Sequence, residues 1–109
     1  MKFVGYWPKS LLPNLSDGAS YIAWGGQVYN PVGEANPAMG SGHFPEEGYK
    51  KSAYMNQLKL IGELNSYVDP VKLTLDVDEH GCYNLTYYVD PDPNWEHTIY
   101  YGGPGNCTN

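Results

Sequence analysis

Proline and glycine interrupt this chain too often for a long helix: 13 Gly and 9 Pro are spread through 109 residues. Proline removes a backbone donor and clashes with the preceding turn, and glycine loses the most conformational freedom on ordering. A helical bundle is excluded. What remains periodic has the period of a strand. Val71-Lys-Leu-Thr-Leu-Asp-Val77 alternates without a fault, with Val71, Leu73, Leu75 and Val77 on one face. Tyr83–Val89 is a second β-rich run, ended by Asp90-Pro-Asp-Pro-Asn94, and His97–Tyr101 a third, stopped by Gly102-Gly-Pro-Gly105. Lys2–Trp7, Tyr21–Asn30 and Ala53–Ile61 also read as strands. Short turns are expected after Pro8 and over Ser16–Ser20, and residues 31–48 as a long loop or disorder. Six short strands between turn signals predict an all-β chain, an antiparallel sandwich or barrel, with no internal repeat or linker.

Charge and ring content narrow the partners. Six Lys and no Arg face 12 acids, for a net charge of -6. Without the planar guanidinium fork, and with a repelling field, the chain is not expected to bind nucleic acid or an anionic membrane. No apolar stretch is long enough to span a bilayer. The rings are 11 Tyr and 3 Trp against 2 Phe, amphipathic side chains suited to sheet faces and cleft rims.

The first residues lack the apolar segment of a signal peptide. Other features point to an extracellular setting: Asn14-Leu-Ser16, Asn84-Leu-Thr86 and Asn106-Cys-Thr108 are three glycosylation sequons. Cys82 and Cys107 are too few for a zinc site and lack redox spacing. Two readings stand, buried free thiols or a bridge. A bridge closes a 26-residue loop and contributes on the order of 3–4 kcal/mol.

Candidate chemistry centres on Trp24-Gly-Gly-Gln-Val28. On a strand Tyr21, Ala23, Gly25, Gln27 and Tyr29 share one face, and adjacent glycines in a strand imply a bulge or a close approach. Gln27 flanked by tyrosines there suits a substrate cleft, or else a tight sheet crossing with Gln27 in solvent. Ser41 and His43 lack the elbow and third group of a serine hydrolase. His43, Glu46 and Glu47 match no established zinc spacing, so neither metal nor cofactor is expected. His80 and His97 read as solvated, Asp76, Asp78 and Glu79 as a charged edge, and 78–81 as a hairpin turn. Any of Glu34, Glu46, Glu47, Glu63 or Glu79 could be a general acid in an apolar pocket, and spacing does not choose among them.

Four motifs in register go further. Val4–Ala19, Trp24-Gly-Gly-Gln-Val28, Met39-Gly-Ser-Gly-His-Phe-Pro-Glu-Glu-Gly48, and Tyr100-Tyr-Gly-Gly-Pro-Gly105 with Cys107 resemble the C-terminal part of the plant neprosin domain. Residues 1–109 then form the second half of a larger antiparallel β-sandwich. The resemblance implies a secreted glutamic endopeptidase that cleaves after proline, using two glutamates from separate halves. Its implied partners are proline-containing peptides and the upstream half of the same domain. The second glutamate matches Gln27 here, with Trp24 and Tyr29 as cleft residues, so an inactive chain is expected. Were Glu46 or Glu47 the active residue instead, the chemistry would be retained. The resemblance further implies a Cys82–Cys107 bridge and makes His43 a loop organiser. The alternative is a non-catalytic extracellular module for proline-rich or glycan ligands.

Overall fold

A computed structural model describes residues 4–107. Among these, helix is confined to three single 3-10 turns, Lys9–Leu11, Pro13–Leu15 and Pro45–Glu47. The first two fall where Pro8 and Pro13 set φ for a tight turn. All strand pairing is antiparallel. The strands are β1 (Ala53–Met55), β2 (Leu60–Ile61), β3 (Tyr67–Val68), β4 (Asn84–Val89) and β5 (His97–Gly102). They form a three-stranded sheet in the order β1-β5-β4 and a β2-β3 hairpin. The chain is all-β, as its punctuation predicts.

The β4–β5 pair is the longest ladder, running from Asn84↔Gly102 to Val89↔His97. Its connection is made by the acids of the Asp-Pro-Asp-Pro segment. The Asp90 carboxylate accepts from the Asp92 N–H at 2.8 Å, and Asp92 accepts from the Asn94 N–H at 2.9 Å. These carboxylates take up the N–H groups of a turn whose two prolines donate none. β1 pairs with β5 from Ala53↔Tyr101 to Met55↔Ile99.

Four expected strands differ. Ala53–Ile61 is two strands because Gln57, at φ 51, enters the left-handed region and breaks the ladder. Val71–Val77 is not a strand despite its alternation. Lys72 is left-handed at φ 53, and Val71 is 76% exposed. Tyr21–Asn30 is likewise unpaired. Residues 19–30 and 69–78 exchange no backbone hydrogen bonds among the described residues, so each segment lacks the neighbour that would make it a strand. Of Lys2–Trp7, Lys2 and Phe3 lie outside the described residues, and the rest is not a strand. The turn at Glu79–Cys82 forms, with the Cys82 N–H on the Glu79 carbonyl at 2.8 Å, but it joins no hairpin.

Register divides the sheet into two faces. Ala53, Tyr101 and Leu85 share one with Met55, Ile99 and Tyr87. Tyr54, Tyr100 and Thr86 share the other with Thr98 and Tyr88. Leu58, Cys82, Tyr83, Ile99 and Tyr100 are the buried apolar residues. Burial pushes the Tyr100 phenol up to about 12, the Tyr88 hydroxyl adding to the effect. The radius of gyration is 16.4 Å, against roughly 13 Å for a compact domain of this length. The fold is therefore open. Leu58, Leu85 and Ile99 floor a groove of about 420 Å³ between Ser20–Trp24 and Lys72–Asp76.

Residues 31–48 are an ordered loop. Met39 forms an antiparallel bridge with Gly103, donating to its carbonyl at 3.0 Å and accepting from its N–H at 3.2 Å. The Met-Gly-Ser-Gly segment is thereby fixed beside the end of β5.

Candidate functional site

The Trp24-Gly-Gly-Gln-Val28 segment crosses the face of the sheet that carries Leu85 and Tyr101. Gly26 lets this crossing come close: a Cβ there would stand 2.7 Å from Met39 Sδ and 2.9 Å from Tyr101 Cδ2, so both side chains would have to shift. The close approach implied by paired glycines is thus contact with two other motifs of the chain. Between this segment, residues 76–79 and the sheet lies an open cavity of about 350 Å³.

Trp24 and Gln27 both line the cavity, Trp24 half-buried and Gln27 exposed. Tyr29 does not. It is 86% exposed and stands outside the cavity. The alternation that would place it beside Gln27 needs a regular strand, and none forms. Asp76, Asp78 and Glu79 also line the cavity. They form one wall of it rather than only a solvated edge.

That wall is anchored from behind. Buried Asn36 donates its Nδ2 to Glu79 Oε2 and to Cys82 Sγ, the latter at 3.4 Å, while its carbonyl accepts from the Asn106 N–H at 2.8 Å. The Tyr83 hydroxyl donates to the Pro37 carbonyl at 2.6 Å. Burial, and then the Glu79 charge, raise the Tyr83 phenol above its ordinary value and keep it a donor. Asn36, Tyr83 and Glu79 are cavity residues that spacing does not reveal, because the contacts join positions more than 40 apart. The signal for Tyr83 is its place beside Cys82.

The bridge implied by resemblance is present. Cys82 and Cys107 are disulfide-bonded, with Cα atoms 5.4 Å apart. Of the three sequon asparagines, Asn14 lies exposed in a 3-10 turn, Asn106 is exposed beside the bridge, and Asn84 opens β4.

The Met39–Gly48 segment contains no nucleophile–base pair. Ser41 Oγ donates to the Lys51 carbonyl at 2.5 Å, whereas His43 Nδ1 lies 2.9 Å from Glu47 Oε2. Glu47 also accepts from the Phe44 N–H at 3.1 Å, capping the turn Pro45–Glu47. Glu46 turns instead to Asn84 Nδ2, at 2.8 Å. The two glutamates thus serve separate contacts. Among the described residues no group of three or more His, Cys, Asp or Glu is placed to hold a metal ion.

His97 departs from its solvated reading. It opens β5, mostly buried, with Nδ1 against the Tyr87 hydroxyl and Nε2 3.9 Å from Asp69 Oδ2. Asp69 pairs with Lys59, which also meets Glu96 at 3.0 Å. This cluster ties the β2–β3 hairpin to the start of β5 and lines neither the cavity nor the groove.

Fold and site define an all-β chain in which three of the four sequence motifs reach one concavity, Trp-Gly-Gly-Gln on one side and the start of β4 and end of β5 on the other. The family is equally plain. The Neprosin family model matches residues 1–104, and the chain belongs to the neprosin family. No solved structure matches it.

Proposed function

We propose that the chain is a peptide-binding portion of a neprosin-like glutamic endopeptidase domain, catalytically silent because Gln27 stands where the family has a glutamate. The position of Gln27 on the cavity wall, with Trp24 beside it, carries this reading. A glutamine has the shape of a neutral glutamic acid but does not ionise. It neither takes a proton from an attacking water nor returns one to a leaving amine. Loss of a general base costs about 10²–10⁴ in rate. The ligand class is a proline-containing peptide.

The upstream half of the same domain is the proposed structural partner. In support, the unpaired segments 19–30 and 69–78 offer free backbone donors and acceptors beside the groove over Leu58, Leu85 and Ile99. Secretion and glycosylation fit the disulfide and the three sequons. A second reading, binding without cleavage as the native role, is favoured by the neutral Gln27 amide itself.

The test is turnover of a proline-containing fluorogenic peptide at acidic pH. The isolated chain is expected to show none, and Gln27→Glu in the complete domain is expected to restore it. Turnover by the native chain, abolished by replacing Glu79 or Asp76, would instead make a wall carboxylate the base and defeat the silent reading.

A further inference from the structure

Val71–Val77 keeps the alternation of a strand and has no strand beside it. Residues 69–78 make no backbone hydrogen bond among the described residues, and Val71 to Asp76 are all exposed. Lys72 and Asp76, on the polar side of the run, have no ion-pair or hydrogen-bond partner among the described residues. Val71, Leu73 and Leu75, on the apolar side, are 76%, 36% and 51% exposed. Backbone, charge and apolar surface are all left to solvent in one short segment.

We propose that this segment is a self-association edge: residues 71–77 of two copies of the chain pair antiparallel about a two-fold axis at Thr74.

The run is complementary to itself in that register. Turned about Thr74, it sets Lys72 of each copy against Asp76 of the other, with Thr74 against Thr74 on the axis. On the other face Val71 meets Val77 and Leu73 meets Leu75. Opposite charges, paired hydroxyls and apolar pairs are the combinations that stabilise a ladder. Other registers lose the match. An axis at Leu75 sets Val71 against Glu79, and a parallel pairing sets Lys72 against Lys72 and Asp76 against Asp76. Pro70 has no N–H to give, and the turn at Glu79–Cys82 follows the run, so the ladder ends where the match ends.

The backbone is free to take up this pairing. Lys72 is the one residue of the run in the left-handed region, at φ 53, and no backbone hydrogen bond holds it there. A residue with a Cβ disfavours that region, so pairing returns Lys72 to a conformation it prefers. The run walls the groove over Leu58, Leu85 and Ile99 along one edge, which leaves its other edge for the second copy. Self-pairing is therefore compatible with an upstream half in the groove and does not rest on the peptidase reading. A two-fold contact consumes the edge on both copies, so association closes at a dimer.

The test measures the dimer dissociation constant of the 109-residue chain by sedimentation equilibrium. The native chain is expected to dimerise reversibly. Lys72→Asp or Asp76→Lys alone is expected to weaken the dimer by about tenfold or more, since both cross-strand attractions become repulsions. The double exchange is expected to restore it, and an equimolar mixture of the two single variants to form a heterodimer. Both side chains are exposed and unpartnered within the chain, so the variants are expected to keep the native circular dichroism. A native chain that stays monomeric to about 1 mM overturns the pairing. So does a dimer indifferent to the single exchanges, or one that neither the double exchange nor the mixture restores.

Discussion

Asn84 donates its side-chain nitrogen to Glu46 Oε1 at 2.8 Å, tying the start of β4 to the turn Pro45–Glu47. Its Oδ1 accepts from the Leu85 N–H at 2.9 Å, so both ends of the amide are engaged. That nitrogen is also the atom a glycan would modify. Asn14, by contrast, lies exposed in a 3-10 turn. In chain secreted from a eukaryotic host, glycan occupancy is expected to be higher at Asn14 than at Asn84. Glu46→Ala frees the Asn84 amide and is expected to raise its occupancy. Site-by-site mass spectrometry reads both, and equal occupancy at the two sites in native chain would contradict the engagement.

The disulfide joins the start of β4 to the segment beyond β5, across 25 residues of sequence. Loop closure of that length limits the unfolded chain by on the order of 3–4 kcal/mol. In so small a core that is a large share of net stability. Replacing both cysteines by alanine is expected to lower the melting temperature by at least about 10 °C. A melting temperature within two or three degrees of the native value would show that the bridge adds little.

The β2–β3 hairpin is held by charge, and its pH window follows from two shifts of opposite sense. The Lys59 hydrogen bond holds the Asp69 carboxyl below its ordinary range. Bonds to Asp69 and then Glu96 raise Lys59 above its own. Asp69 therefore contributes stability above the usual carboxylate pKa, lost as pH falls through its lowered value. Lys59 contributes below the usual lysine pKa, and this is lost as pH rises through its raised value. His97, Glu96 and Tyr87 face the same cluster. Chemical denaturation from pH 2 to pH 7 is expected to show an acid decline that Asp69→Asn flattens. An identical profile in the variant would remove Asp69 from the account.

What the residues disclosed depended on whether a signal was local. β4 and β5 were legible because each carries β-branched and aromatic residues and ends at chemistry that stops a ladder, Asp-Pro-Asp-Pro and Gly-Gly-Pro-Gly. Val71–Val77 has the better alternation and is not a strand. Alternation marks a segment suited to a half-buried strand, yet residues 71–76 are exposed on both faces, because pairing needs a neighbour that no local pattern supplies. Trp24 and Gln27 were found through their motif, and both line the cavity. Asn36, Tyr83 and the acidic wall were not, since the Tyr83–Pro37 bond and the Asn36–Glu79 contact join distant segments. The ring contacts among Tyr49, Tyr54, Trp95, Tyr100 and Tyr88 were visible only as aromatic content, because the fold gathers these rings from positions 49 to 100.

Gly105 shows how tightly the last motif seats the cavity wall. Its φ is 72°, and a Cβ there would collide with the carbonyl oxygens of Asn36 and Pro37. Those carbonyls are in use: Asn36 accepts from the Asn106 N–H, and Pro37 accepts from the Tyr83 hydroxyl. An alanine therefore meets backbone that is unable to retreat without breaking one of these bonds. Left-handed strain alone costs of the order of 1–3 kcal/mol. With the collision, Gly105→Ala is expected to destabilise by more than about 3 kcal/mol in denaturant unfolding. The control is Gly5→Ala, where a Cβ meets nothing within 4 Å and the change should stay within about 0.5 kcal/mol. Equal effects at the two glycines would mean that residues 36–37 yield freely, and the wall carrying Glu79 would lose its anchor.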